Sequence, residues 1–146
     1  MIIGRFGNTT GRPYVGGRLL FPRFNAAASL SFLVDTGADS STLMPADAAR
    51  MGIDHKKLGN STTVGGMGGS AACFQETAVL AFDEPNRNLI RFYSVEVMIP
   101  EPAPDLMHMP PILGRDVLDR WRMIYDPSKD SLTFTVRSAD YTARTS

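Results

Sequence analysis

One cysteine, Cys73, stands in 146 residues, so no intrachain disulfide can form and stability must come from a packed core. The two histidines, His55 and His108, lie far apart in sequence; with a lone cysteine they leave a His/Cys metal site short of ligands. Neither sign of charge is in excess, because 15 Lys and Arg balance 15 Asp and Glu. No run of three basic residues occurs. Phosphate-backbone binders carry a basic stripe, so nucleic acid is not an expected partner. No apolar stretch reaches the length of about eighteen residues that spans a membrane. The opening MIIGRFGNTTGRPYVGG lacks the apolar segment and cleavage pattern of a secretory signal. The expectation is a soluble, cytoplasmic protein in a reducing environment, with no cofactor, no metal and no membrane partner.

What is present suits one domain, residues 1–146, around one core: 43% of residues are apolar and 21% charged, ordinary values for a globular chain. The patterning is mostly β. Residues 12–24 and 30–34 read as two strands joined by a turn at Asn25-Ala26-Ala27. Residues 61–64 and 70–74 flank a glycine cluster and read as a hairpin. TAVLAF at 77–82 and NLIRFYSVEVMI at 88–99 flank the turn string 83–87, and Tyr93, Val95, Val97 and Ile99 share one face at period two. RMIY and SLTFTV surround a further turn at 126–130, with Leu132, Phe134 and Val136 alternating against Thr133, Thr135 and Arg137. Short helices are expected at 45–52, opened by Pro45, and at 114–121, where Val117, Leu118 and Trp121 share a face. The Pro-rich segment 100–111 reads as a surface loop, and residues 137–146, without apolar pattern, as a loose tail. No repeat or domain boundary interrupts this order.

The chemistry-bearing stretch is FLVDTGADSSTLMP, residues 32–45. Asp35 closes an apolar strand rather than a polar turn, so its carboxylate carries a desolvation penalty unless donors surround it. Gly37 lets the backbone fold back so that amides face the carboxylate. A second stretch, TTVGGMGGSAACF at 62–74, has glycines on both sides of Met67. It lacks the Gly-Lys-Ser/Thr of a phosphate loop. Cys73 reads as a small packed residue, since neither histidine stands where a Cys/His nucleophile needs it. Trp121, Phe134 and Tyr125 read as core or dimer contacts. Phosphoryl transfer through Asp35 is disfavoured, because Gly37 occupies the place where a second acid is wanted.

FLVDTGADSSTL at 32–43, followed by PPILGRDVL at 110–118, resembles the aspartic peptidases, specifically the single-lobe retroviral type, the retropepsins. The resemblance covers most of the chain in order. It implies an all-β, retropepsin-like acid-protease fold: a closed, barrel-like lobe with one or two short helices. It implies an aspartic endopeptidase acting on extended peptides, with Asp35 as the catalytic carboxylate. Two such carboxylates share one proton and activate a water between them. Two-lobed relatives carry the motif twice, and this chain carries Asp-Thr-Gly once. The implied enzyme is therefore an isologous homodimer with one Asp35 from each chain. Thr36 matches the threonine that grips the opposite loop. Asp39 and Arg115 match an ion pair bracing the catalytic loop, with Gly37 and Ala38 supporting it and Gly114 structural. Asp116 is read as a local cap or pairing residue. Gly65, Gly66, Met67, Gly68 and Gly69 match a flap closing over substrate. The alternative from another class is a dimeric binding or assembly module of the same fold with little turnover.

Ala38 sets a pH expectation. Acid-acting relatives carry a hydroxyl residue there, which stabilises the ionised dyad by a hydrogen bond; Ala38 has none. Peptide cleavage is expected to peak between mildly acidic and near-neutral pH. A maximum near about pH 2, in the range of the pepsin dyad, contradicts this.

Overall fold

The computed structural model describes residues 1–59, 62–66 and 69–145. The strands are β1 (Ile2–Ile3), β2 (Arg5–Phe6), β3 (Pro13–Phe21), β4 (Ala26–Val34), β5 (Thr62–Gly66), β6 (Gly69–Glu84), β7 (Leu89–Pro100), β8 (Ile112–Leu113), β9 (Trp121–Asp126), β10 (Ser131–Val136) and β11 (Tyr141–Arg144). Two short helices, α1 (Pro45–Arg50) and α2 (Arg115–Leu118), interrupt them. The larger sheet runs β11-β7-β6-β3-β4-β8, with β2 on β3 and β5 on β6; the smaller runs β1-β10-β9. No helix among the described residues is long and apolar enough to cross a membrane.

Three hairpins close by one local device. Pro22–Phe24, Pro85–Arg87 and Pro127–Lys129 each form a single 3-10 turn, ended by Asn25, Asn88 and Asp130 in the left-handed region. Proline presets the first φ, and Asn and Asp tolerate positive φ better than other side chains. This moves the first turn ahead of its expected place at 25–27: Ala26 is buried and already begins β4. β6 also differs from expectation. The hairpin arm at 70–74 and the strand at 77–82 are one continuous strand, since Gln75 and Glu76 contain no turn signal. Glu76, which faces inward at 7% exposure, is held by Arg23 through paired contacts of 2.7–3.1 Å.

Both sheets share one core. Trp121 packs edge-on against Phe82 at 4.9 Å and tilts against Phe134 at 5.0 Å, and Phe32 and Tyr93 complete the aromatic group. Such contacts add about 0.5–1.5 kcal/mol each beyond burial. The Tyr93 hydroxyl accepts from the Trp121 indole N–H at 2.7 Å and donates to the Ser138 carbonyl at 2.9 Å, so its burial leaves no orphan. Trp121 starts a strand rather than ending the helix expected at 114–121; α2 stops after one turn so that the indole enters this cluster. Tyr125, in contrast, is half exposed.

The C-terminal segment corrects the expectation of a loose tail. β11 pairs antiparallel with β7 from Tyr141↔Phe92 to Arg144↔Leu89. Asp140 anchors its start, accepting from the Ser94 N–H and the Arg120 guanidinium, both at 2.8 Å. The Ser94 hydrogen bond first, and Arg120 second, hold its carboxyl below the ordinary range. An exposed edge strand needs no apolar alternation when backbone bonds and one anchor fix it, which is why no pattern announced it.

Glu84 ties the end of β6 to its neighbours at 2% exposure. It accepts from Arg91 Nε at 2.6 Å and from the amino-terminal ammonium at 2.8 Å. Burial opposes its ionisation, but these bonds together outweigh it and lower its titration. A carboxyl depressed by folding stabilises the fold above its unfolded value and loses that contribution as pH falls through the folded value. Glu84→Gln is expected to cost roughly 2 kcal/mol at neutral pH. It should also flatten the loss of stability below about pH 4.3, the ordinary glutamate value. Denaturant midpoints measured at each pH check this; an unchanged acid slope refutes it.

Candidate active site

β4 and β8 run parallel, with Leu33 beside Ile112 and Val34 beside Leu113. Asp35 leaves this pair as its ladder ends, and its N–H still donates to the Leu113 carbonyl at 3.1 Å. The chain then turns sharply: the Ala38 N–H donates to the Asp35 carbonyl at 3.2 Å, and the Gly37 N–H donates to Asp35 Oδ1 at 2.9 Å. The sequence drives this locally. Phe32 and Val34 bury one face of the strand, and glycine at 37 admits the close return, since a Cβ there would lie 3.2 Å from Asp35 Oδ1. Asp35 is half-buried, while Thr36 and Gly37 at the apex are exposed.

Beyond the apex the chain threads back between two strands. Thr42 exchanges backbone bonds of 2.9 Å with Ile112, the Leu43 N–H donates to Met98, and the Met98 N–H donates to Ser41. Residues 35–43 therefore form an arch that leaves β4 and is pinned to β7 and β8. Ser41, 1% exposed, is its fixed point. Its N–H and hydroxyl donate to the two Asp116 oxygens at 2.9 and 2.8 Å, and Oγ accepts from the Gly114 N–H at 3.1 Å. Gly114 lets α2 close on the arch: a Cβ there would stand 2.6 Å from the Ser40 carbonyl carbon and 2.9 Å from the Ala38 oxygen. The Arg115 N–H donates to Ala38 at 2.8 Å.

The structure thus brings Asp35, Gly37, Ala38, Asp39, Gly114 and Arg115 together. Arg115 forms an ion pair with Asp39, whose side chain is 85% exposed against 46% for Arg115. Asp116, expected to cap or pair locally, makes the more buried contact, and Ser41 was not foreseen at all. Its only sequence signal is a small hydroxyl residue in the Asp-Ser-Ser-Thr run facing Gly-Arg-Asp. Gly65 and Gly66 end β5 opposite Ser70 and Gly69 of β6, the two arms of the expected hairpin; Met67 and Gly68 lie outside the described residues.

Beside the arch lies a hollow of about 440 Å³ bounded by Ala38, Ser40, Thr42, Cys73, Met98 and Pro100. It joins the Asp35 loop to the root of the β5–β6 hairpin. Cys73 contributes a wall and not a nucleophile: burial first, and the Glu101 carboxylate second, push its thiol up, which keeps it protonated. Among the described residues no cluster of His, Cys, Asp and Glu could hold a metal ion. The chemistry available is that of the half-buried Asp35 carboxyl, whose loop borders this hollow through Gly37 and Ala38.

Residues 23–120 match the model of a family described as gag-polyprotein putative aspartyl protease. Among solved structures, the chain is similar to a retropepsin-like aspartic protease from Rickettsia conorii at 25% identity and a TM-score of 0.58, covering 90% of this chain and 95% of that one. It is also similar to EIAV protease bound to an inhibitor, at 25% identity and a TM-score of 0.44, covering 77% and 90%. No curated protein sequence matches.

Asp39 of the arch and Asp116 of α2 differ in environment, and their removal should differ in consequence. Asp116→Ala strands the buried Ser41 N–H and hydroxyl and is expected to cost about 2–3 kcal/mol. Asp39→Ala removes a surface pair and is expected to cost roughly 0–1 kcal/mol. Urea unfolding of both variants tests this, and equal losses refute the ranking.

Proposed function

Because the chain belongs to the gag-polyprotein aspartyl protease family and has the retropepsin-like fold, we propose that it is an aspartic endopeptidase assembled from two copies. The observation that carries this reading is the setting of Asp35. It ends the parallel β4–β8 pair half-buried, its Oδ1 held by the Gly37 N–H, beside the exposed Thr36 and Gly37. The chain supplies this loop once, so the second carboxyl comes from the partner's Asp35 across a two-fold axis.

Two carboxyls meeting at that axis cannot both ionise, and they share a proton. The ionised member takes a proton from a water held between them. The resulting hydroxide attacks the scissile carbonyl carbon, while the protonated member donates to the carbonyl oxygen. Collapse of the tetrahedral intermediate breaks the C–N bond, with the proton taken from water passing to the leaving amine. The pair titrates as a unit. Thr36 braces the facing loop, and the Asp39–Arg115 pair orders the arch and offers Asp39 to substrate backbone. Residues 65–69 close over the peptide, which lies extended like an added strand. The hollow beside Ala38 and Met98 takes one of its side chains.

The deciding experiment is peptide-library cleavage by wild type beside Asp35→Asn, with solution mass measured on both. The asparagine variant is expected to stay dimeric and lose at least about a thousandfold in rate, as removal of a catalytic group does. An unchanged rate refutes the assignment. Binding of peptides without cleavage by the wild type would identify the chain as an assembly module instead.

A further inference from the structure

A second hollow, of about 420 Å³, shares no residue with the one beside Ala38. Its walls come from the lead into β3, from α1 and from the end of the Pro-rich loop 100–111. The charges of the whole chain balance, but those of this hollow do not. Arg12, Arg50 and His108 line it, against a single acid, Asp47. Glu101 and Asp105, the acids of the same loop, are not among its lining residues.

Asp47 does not cancel the positive face. Its side chain is 10% exposed and already bound by Arg50, whose own side chain is 71% exposed. The acid lies beneath the surface and the guanidinium stands above it. Arg50 reaches Asp47 through Nη2, which leaves other N–H groups of the fork for an outside acceptor. Arg12 is exposed and, among the described residues, makes no ion pair within its own chain. Arg5 adds to the same sign, since its guanidinium lies 5.5 Å from the centre of the Tyr14 ring in the wall. His108 brings an N–H donor in either protonation state. The exposed Met107 and Met109 flank it with adaptable apolar surface.

We infer that this hollow is a carboxylate-binding subsite, which takes a Glu or Asp side chain of the peptide to one side of the bond cut. The inference rests on the peptidase reading of Asp35 and adds a charge preference to it. Position links the two. The Pro111 carbonyl accepts from the Leu33 N–H at 2.8 Å, and Leu113, two residues on, accepts from the Asp35 N–H. Tyr14 pairs with the same Leu33. The hollow therefore begins about two residues, roughly 7 Å of strand, before the catalytic loop. An extended peptide covers that length in about two residues, so one of its side chains is carried to the hollow. Guanidinium and carboxylate pair directionally through parallel N–H···O bonds, and the methionines give the stem of a glutamate an apolar surface to lie on.

Matched peptide pools test the inference, one carrying Glu and Asp and the other Gln and Asn at the same positions. Wild type should cleave the acidic pool with a kcat/KM at least about tenfold higher, the effect of one well-placed charged contact. Asp35→Asn should bind the acidic pool more tightly by a similar factor, and the difference should shrink as salt is raised. Arg12→Glu and His108→Glu each reverse the charge preference locally and should bring both ratios to about one or below. They are measured singly, so that either decides the matter if the other fails to fold, and Arg50 is left in place because Asp47 depends on it. Asp35-dependent cleavage with no acid preference overturns the subsite and leaves the peptidase reading standing. An acid preference that survives both reversals overturns it equally. Wild type that cleaves neither pool overturns the peptidase reading, and the binding ratio then judges the hollow by itself, a value near one overturning that too.

Discussion

Ser41 is the residue on which the geometry of this protein turns. Its N–H and hydroxyl are bound by Asp116, its Oγ by the Gly114 N–H and its carbonyl by Met98. Every polar group of a 1% exposed residue thus has a partner, and the partners come from β7 and from the start of α2. A fully satisfied buried network admits one arrangement, since any slip leaves a donor or acceptor without water. The arch that begins at Asp35 is fixed through this point to the strands around it.

From that constraint follows a division of labour among the charges near the site. Asp116 works where water is excluded and locks the backbone. Asp39 and Arg115 meet at the surface, where an ion pair contributes little to stability. Asp35 itself has a single backbone donor from Gly37 and an open side. A carboxyl held firmly but incompletely satisfied is suited to exchange a proton with something outside its own chain, which is the setting the proposed chemistry requires.

The rest of the fold supplies rigidity. The long β6–β7 ladder runs from Glu84↔Leu89 to Cys73↔Pro100 and carries the glycine-rich hairpin at one end. Phe82, Tyr93, Trp121 and Phe134 lock the smaller sheet to the larger. The C-terminal strand is drawn in by Arg120 and Asp140 and by the Tyr93 hydroxyl. Between them these contacts join the two sheets and the C-terminal strand.

The sequence by itself determined the strand pattern, the two short helices and the place of Asp35, because alternation, proline, glycine and a motif of adjacent residues are all local signals. It also carried the glycine pair Gly65–Gly66 and the Gly114-Arg115-Asp116 run that meets the loop. Only the tertiary structure decided which acid does the holding. Asp39 and Asp116 look alike in sequence, yet Asp116 is fastened to the buried Ser41 and Asp39 sits in an exposed ion pair with Arg115. It likewise decided that 137–146 is partly strand, because an edge strand is fixed by backbone bonds that leave no apolar pattern. The unity of β6 and the entry of Trp121 into the core follow from partners distant in sequence, Arg23 for Glu76 and Phe82 for the indole. Those pairings exist only once the sheets have packed.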